Sequence, residues 1–308
     1  MMYPRDFRGY GPIPPDPQWP GSARVAVSLV VNIEEGAELS LCMGDERNEG
    51  IDEVVDEIKG VTDPCMESHF EYGTRVGYWR ILRLLDGSGV KATFSTCARA
   101  IEHSPWMATE AVARGDEISC HRYRWESPAH VDEVLERDMI TPTVSSIERI
   151  GGVRPRGWYS RSAPSMNTRS LLVEYGGFLY DSNAYNDELP YVVDVSGCQH
   201  VVVPYSFDTN DMHFSNAETF RLASDFSTHL IDSFSWLWRE GERWPRLISV
   251  GLHLRIIGRP GRIGGLERFL THIQQHKQGV WIARRDDIAR PWRKRMGLPP
   301  LAECNQGG

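Results

Sequence analysis

Residues 25–31 read Val-Ala-Val-Ser-Leu-Val-Val, a β-branched run in which apolar and polar positions do not alternate. Such a run predicts a strand covered on both faces, as in parallel sheets packed between helices. Segments of similar character at 92–97, 117–121, 178–182, 201–205, 247–254 and 280–283 bring the expected total to about seven strands. Helical spacing occupies the intervals. Residues 73–85 place Val76, Trp79 and Leu82 on one stripe, and Ser104-Pro105 opens a second helix. Asn167 is positioned to cap a helix over 168–175 that Gly176-Gly177 would end. Segments 217–239 and 261–276 supply the longest helices. Alternating strands and helices predict an α/β fold with a parallel sheet or barrel. In such folds ligands bind where strands end, so polar residues closing apolar strands carry the functional question.

Six prolines within residues 1–22 predict an irregular N-terminal arm, for which Tyr3, Phe7, Tyr10 and Trp19 are apolar anchors. Residues 23–295 read as one domain and 296–308 as a tail. The 308-residue chain is 41% hydrophobic and 25% charged, which excludes disorder and a disulfide-stapled miniature scaffold. A net charge of -8 disfavours nucleic acid as a partner. No apolar stretch approaches the ~20 residues of a membrane span, and the N-terminus lacks the order of a signal peptide. Six scattered cysteines without a CxxC pair argue against a Cys-type zinc site and fit a cytoplasmic protein.

The candidate chemistry sits at strand ends. The first strand closes on Asn32-Ile33-Glu34-Glu35-Gly36, where two adjacent carboxylates need solvent, a partner or a cation. The third closes on His121, followed by Arg122-Tyr123-Arg124-Trp125. A late strand closes on Gly251-Leu252-His253, with Arg255, Arg259 and Arg262 beyond it, arginines suited to orienting a carboxylate or oxyanion. Between them lie Gly157-Trp158-Tyr159-Ser160-Arg161-Ser162-Ala163-Pro164, Tyr180-Asp181-Ser182 and Asp208-Thr209-Asn210-Asp211-Met212.

The order of these segments resembles the polysaccharide deacetylase superfamily, the NodB homology domain. Asn32 to Gly36 resembles its Thr-Phe-Asp-Asp-Gly motif, with glutamates for aspartates. His121 matches the first histidine of its His-x-x-x-His, but Trp125 stands at the second. Arg161 to Pro164 resembles Arg-x-Pro with one extra residue, and His253 matches the final Leu-His. Glu34-Glu35-Gly36, Tyr123-Arg124-Trp125, Gly157-Trp158-Tyr159 and Gly258-Arg259-Pro260 resemble the metal-independent allantoinase branch. Against that branch, His121-Arg122 replaces His-Gly and the segment 162–166 is longer, both changes expected at the pocket.

The resemblance implies a distorted (β/α) barrel that hydrolyses a carbon–nitrogen bond in a small amide, cyclic amide or ureide. It implies Glu34 or Glu35 as the base, His121 to position water or substrate, Arg161 to align the base or polarise the carbonyl, and His253 as the acid. A gap-free match puts Glu34 at the base and Glu35 at the metal-ligand position, and a one-residue slip exchanges them. Trp125, Trp158, Tyr159, Asp211 and Arg259 are the expected substrate contacts. No cofactor is expected. The alternative is zinc or another divalent metal on Glu35 and His121, with His69 or His253 recruited. Self-association is implied only by the resemblance. The competing readings are a metal-dependent carbohydrate N-deacetylase and an inactive binding protein on the same fold.

Overall fold

The computed structural model describes residues 5–50, 58–215, 219–299 and 301. Among these, nine strands form one sheet: β1 (Val25–Ile33), β2 (Thr93–Thr96), β3 (Glu117–Cys120), β4 (Gly157–Trp158), β5 (Tyr180–Asp181), β6 (Tyr191–Val195), β7 (Cys198–Val202), β8 (Arg246–His253) and β9 (Val280–Ile282). Their order is β6-β7-β5-β4-β3-β2-β1-β8, with β9 beside the start of β1. Every pairing is parallel except the β6–β7 hairpin. The curled sheet is brought round by the segment after β7, where Thr209 accepts from the Gly251 amide and Asn210 bridges to Gly251 on β8. This is the distorted barrel expected, here incompletely closed and with nine strands among the described residues rather than about seven.

The helices are α1 (Pro64–Tyr72), α2 (Tyr78–Ser88), α3 (Ala98–His103), α4 (Trp106–Arg114), α5 (Glu133–Gly151), α6 (Thr168–Tyr175), α7 (Ala223–Glu240), α8 (Pro260–Gln274) and α9 (Arg285–Arg295). All nine residues of β1 are buried, as its unbroken apolar pattern predicts. Val25, Val27, Leu29, Val31 and Ile33 share one core with Ile81 and Leu85 of α2, Phe226 and Phe234 of α7, and Phe269 of α8. A smaller core gathers Ala26, Leu247, Trp292 and Trp19. Among the described residues no helix is long and apolar enough to cross a membrane.

Several expectations are corrected. The 73–85 helix opens with a π turn (Gly73–Gly77) before α2. Asn167 does not cap α6 with its side chain; the Ser165 hydroxyl accepts from the amides of Asn167 and Thr168 instead. The 201–205 strand ends at Val202, the 178–182 strand shrinks to two residues, and α7 begins at Ala223 rather than at 217, which lies outside the described residues. Helices α1, α3, α5 and α9 and strands β4 and β6 had no counterpart in the expected elements. Of the arm's four anchors, Trp19 is buried and donates its indole N–H to the Arg246 carbonyl. Tyr10 is held by its hydroxyl on Asp187. Phe7 is 80% exposed and anchors nothing. Tyr3 lies outside the described residues.

Candidate active site

Parallel register sets the site. Asn32 lies level with His253 across β1–β8, Ile33 with Thr96, Thr96 with Cys120, and Cys120 with Trp158. The residues one step beyond, Glu34, His121 and Tyr159, therefore emerge together from neighbouring strand ends. The chain turns back after β8, with the amides of Ile256 and Ile257 donating to the His253 carbonyl, and this returns Arg255 to the same end of the sheet.

Glu34 is the hub. Its carboxylate is 1% exposed. Oε2 accepts from Arg255 Nη1 at 2.7 Å. Oε1 faces His121 Nε2 at 3.3 Å and His253 Nε2 at 3.4 Å, neither aligned as a hydrogen bond. Behind His253, Asp211 Oδ1 lies 2.6 Å from Nδ1, while Oδ2 accepts from the backbone amides of His253 and Ile257. Two backbone donors thus orient the carboxylate that orients the imidazole.

The protonation states follow from this crowding. Burial opposes ionisation of Glu34, yet the charges of His253 and Arg255 hold it well below the ordinary carboxylate range. Burial pulls His253 down, but Glu34 and Asp211 together raise it to about 9. At neutral pH the pair rests as carboxylate and imidazolium. Burial pushes Glu35 up to about 7, with Arg255 opposing and the Glu34 charge reinforcing the shift. Glu35 turns away from the open space, its Oε2 accepting from the Glu34 amide. It packs so closely on the π turn that a Cβ at Gly73 would collide with its carboxylate.

A cavity of about 380 Å³ opens over Glu34, His121 and His253. Trp125, Tyr159, Arg161 and Ser162 form part of its wall, as do Asn32, Tyr205 and Phe207. The Tyr159 ring stacks between His121 at 4.9 Å and Tyr205 at 4.8 Å. Arg161 lies 3.5 Å over the Trp125 ring and is pinned by two bonds to Glu49 and one to the Trp125 carbonyl.

The structure thus gathers Glu34, His121, Arg161, His253, Trp125 and Tyr159 around one cavity. Glu35 stands behind the wall. Trp158 is core, bonded to Ser160 and edge-on to Phe178. Asp211 backs His253 without reaching the cavity. Arg259 caps the start of α8 over Tyr72 and beside His69, away from the opening. Arg161 does not align either glutamate; Arg255 does. Of the two pocket departures, Ser162 is on the wall, whereas Arg122 turns aside to the Glu126 carbonyl. Sequence reasoning gave no role to Asn32, and it offered Arg255 only as one of three arginines suited to orienting a carboxylate or oxyanion, the part it takes against Glu34. Tyr205 and Phe207 belong to a connecting segment without a motif.

The donor set does not fit a divalent metal. Arg255 Nη1 lies 2.7 Å from Glu34 and 3.6 Å from Glu35, so a guanidinium already supplies the positive charge between them. Trp125 stands 4.7 Å under that guanidinium, where a second imidazole would be needed. Among the described residues no group of three His, Cys, Asp or Glu side chains could hold a metal ion.

Comparison with known proteins agrees with the fold. A family model described as polysaccharide deacetylase matches residues 59–175. A Schizosaccharomyces pombe protein assigned by name to the polysaccharide deacetylases is 36% identical over 95% of this chain and 98% of its own. The crystal structure of a probable polysaccharide deacetylase from Pseudomonas aeruginosa PAO1 is 42% identical, with a TM-score of 0.91 over 96% of this chain and all of that one. This chain belongs to the polysaccharide deacetylase superfamily of hydrolases. Within it, the crystal structure of PuuE allantoinase is 41% identical, with a TM-score of 0.91 over 97% of this chain and all of that one.

Proposed function

We propose that this hydrolase opens a carbon–nitrogen bond in a small amide, cyclic amide or ureide, without a bound metal. The observation carrying this reading is the Asp211–His253–Glu34 line, an imidazolium held between two carboxylates at the floor of a small aromatic-walled cavity. Its likeness to PuuE allantoinase extends over nearly the whole chain.

Water held at Glu34 Oε1 and His121 attacks the substrate carbonyl, forming the C–O bond as its proton passes to Glu34. Position, rather than proton affinity, selects Glu34 over Glu35, since only Glu34 faces the cavity. A carboxylate held below its ordinary range is a weak base at rest. When His253 gives its proton to the leaving nitrogen and the C–N bond breaks, one of the two charges depressing Glu34 disappears while that of Arg255 remains, so the proton taken from water is held more firmly once the leaving group departs. His253 cation and Arg161 face the developing oxyanion from the cavity wall. The proton then returns from Glu34 to His253. No step needs a metal.

The names of several relatives favour a second reading, carbohydrate N-deacetylation. One screen separates the two: purified full-length protein assayed on allantoin, other cyclic amides and acetylated oligosaccharides, before and after chelation. Ureide or cyclic-amide cleavage that survives chelation is expected. Cleavage only of acetylated sugars, restored by zinc or cobalt, overturns the proposal.

A further inference from the structure

At the end of β1, three acceptors on buried side chains lack a hydrogen-bond partner: Glu35 Oε1, which faces the π turn, and Glu34 Oε1 and Asn32 Oδ1, whose residues line the cavity. Asn32 is 1% exposed and lines the cavity. Its Nδ2 donates to the Leu252 carbonyl at 3.1 Å and to the Tyr205 hydroxyl at 3.3 Å. A carbonyl can only accept, so Leu252 fixes which end of the amide is nitrogen and leaves the oxygen as the free atom. Asn210, the other amide on the cavity wall, has its oxygen occupied by the Met212 amide. A buried oxygen without a donor is costly, and Asn32 belongs to the wall of the cavity a substrate would enter.

We propose that Asn32 is a substrate-binding residue whose Oδ1 accepts an N–H of the substrate. Glu34 Oε1 meanwhile takes the attacking water. A ureide or cyclic imide, carrying N–H groups beside its carbonyl, meets this demand; an ester, a lactone or an N-alkylated amide leaves Asn32 unpaired. The assignment rests on the small-amide reading above and adds the chemistry that selects among such substrates.

The test uses hydantoin and its 1-methyl and 3-methyl derivatives, with binding to the full chain measured by calorimetry. Methylation at one of the two nitrogens is expected to weaken binding to the wild type at least about tenfold. Asn32→Leu, similar in volume but without an acceptor, should weaken hydantoin by a like factor. The methyl derivative that wild type binds poorly should stay within about twofold. Losses in Asn32→Leu that are equal for parent and methylated ligand, or a wild type indifferent to methylation at both positions, overturn the assignment. The methyl series on wild type decides even if the variant does not fold. If ureides are cleaved but methylation has no effect, the hydrolase reading stands and the Asn32 assignment alone falls. If hydantoin does not bind and only acetylated sugars are cleaved, both fall.

Discussion

Two clusters of buried charge occupy opposite ends of the same sheet. At the carboxyl ends, Glu34, Glu35, His253, Arg255 and Asp211 interlock beneath the cavity. At the other end, Glu117 opens β3 and accepts from Thr93, Tyr180 and the Asp286 amide. Beside it Arg285 crosses the interior to Ser182, Ser249 and the carbonyls of Val203 and Pro204. Both ends contain a glutamate pushed up to about 7 by burial first and a neighbouring carboxylate besides, Glu35 above and Glu117 below. A perturbed carboxyl therefore does not mark the site. The two glutamates differ in satisfaction: both Glu117 oxygens have donors, whereas Glu34 Oε1 has none, nor has Asn32 Oδ1, and both of these residues line a cavity. Asp286 Oδ1 at the structural end also lacks a hydrogen bond, so unmet acceptors on residues that line a cavity, rather than unmet capacity or an unusual proton affinity alone, separate the reactive end from the structural one.

The sharpest way to break this contrast is Glu34→Gln. Removing the only cavity-facing carboxylate among the described residues should lower kcat by about 10³-fold, read by steady-state turnover. It also leaves His253 and Arg255 less compensated, so melting should be followed in parallel to show that a folded protein has lost activity. Turnover within tenfold of wild type would mean that Glu34 is not the base.

Asp211→Asn comes next. Asp211 positions His253 and helps hold its proton, so kcat should fall roughly 10²-fold. The pH profile distinguishes this from loose packing. Activity that depends on protonated His253 is retained below, and lost as pH rises through, about 9. Without the Asp211 charge that alkaline limb should move to lower pH. A drop in kcat with the limb unmoved would reduce Asp211 to a structural role.

Glu117→Gln probes the other end and should leave kcat/KM unchanged. Glu117 has its value raised in the folded protein from 4.5 to about 7. Between those values the folded state binds more protons than the unfolded one, so this group's contribution to stability declines as pH rises through that window. The variant should lack that decline, gaining roughly 2–4 °C in melting temperature relative to wild type between pH 5 and pH 8. A loss of turnover in a folded Glu117→Gln protein would collapse the distinction between the two ends.

The same contrast explains what the sequence made legible. Strands β1 and β8 are long, apolar and closed by polar residues, so Glu34 and His253 could be placed at strand ends before their register was known. Strand β4 is two residues long, too short for any period, and β6 is an edge strand whose residues are half-buried or exposed. Helices α5 and α9 each contain an interior proline, Pro142 and Pro291, which reads as an interruption though packing keeps the helix continuous. Partnership was the harder part. Asp211 looked like a substrate contact because its motif lies beside the site, but two backbone amides rotate it behind His253. Arg255 looked like one of three interchangeable arginines until the turn after β8 inserted it between the glutamates. Trp158 and Tyr159 are adjacent, yet β4 sends one ring into the core and the other into the cavity.

Arg122 gives the contrast its finest test. It directly follows His121, at the site end of the sheet, with a φ of +63° that an L-residue adopts at a cost of about 1–2 kcal/mol and a glycine without one. Its guanidinium turns from the cavity to the Glu126 carbonyl at 2.9 Å, a buried position that pushes its proton affinity down. In Arg122→Gly the relieved backbone and the lost hydrogen bond nearly offset each other, so stability in urea should change by less than about 1 kcal/mol. Because the Tyr159 ring and carbonyl and Glu34, not the Arg122 side chain, surround the neighbouring His121, kcat/KM should stay within about twofold. A larger loss would show that Arg122 acts through His121, and that the boundary between the reactive and the structural set lies one residue further from the cavity than the unmet acceptors place it.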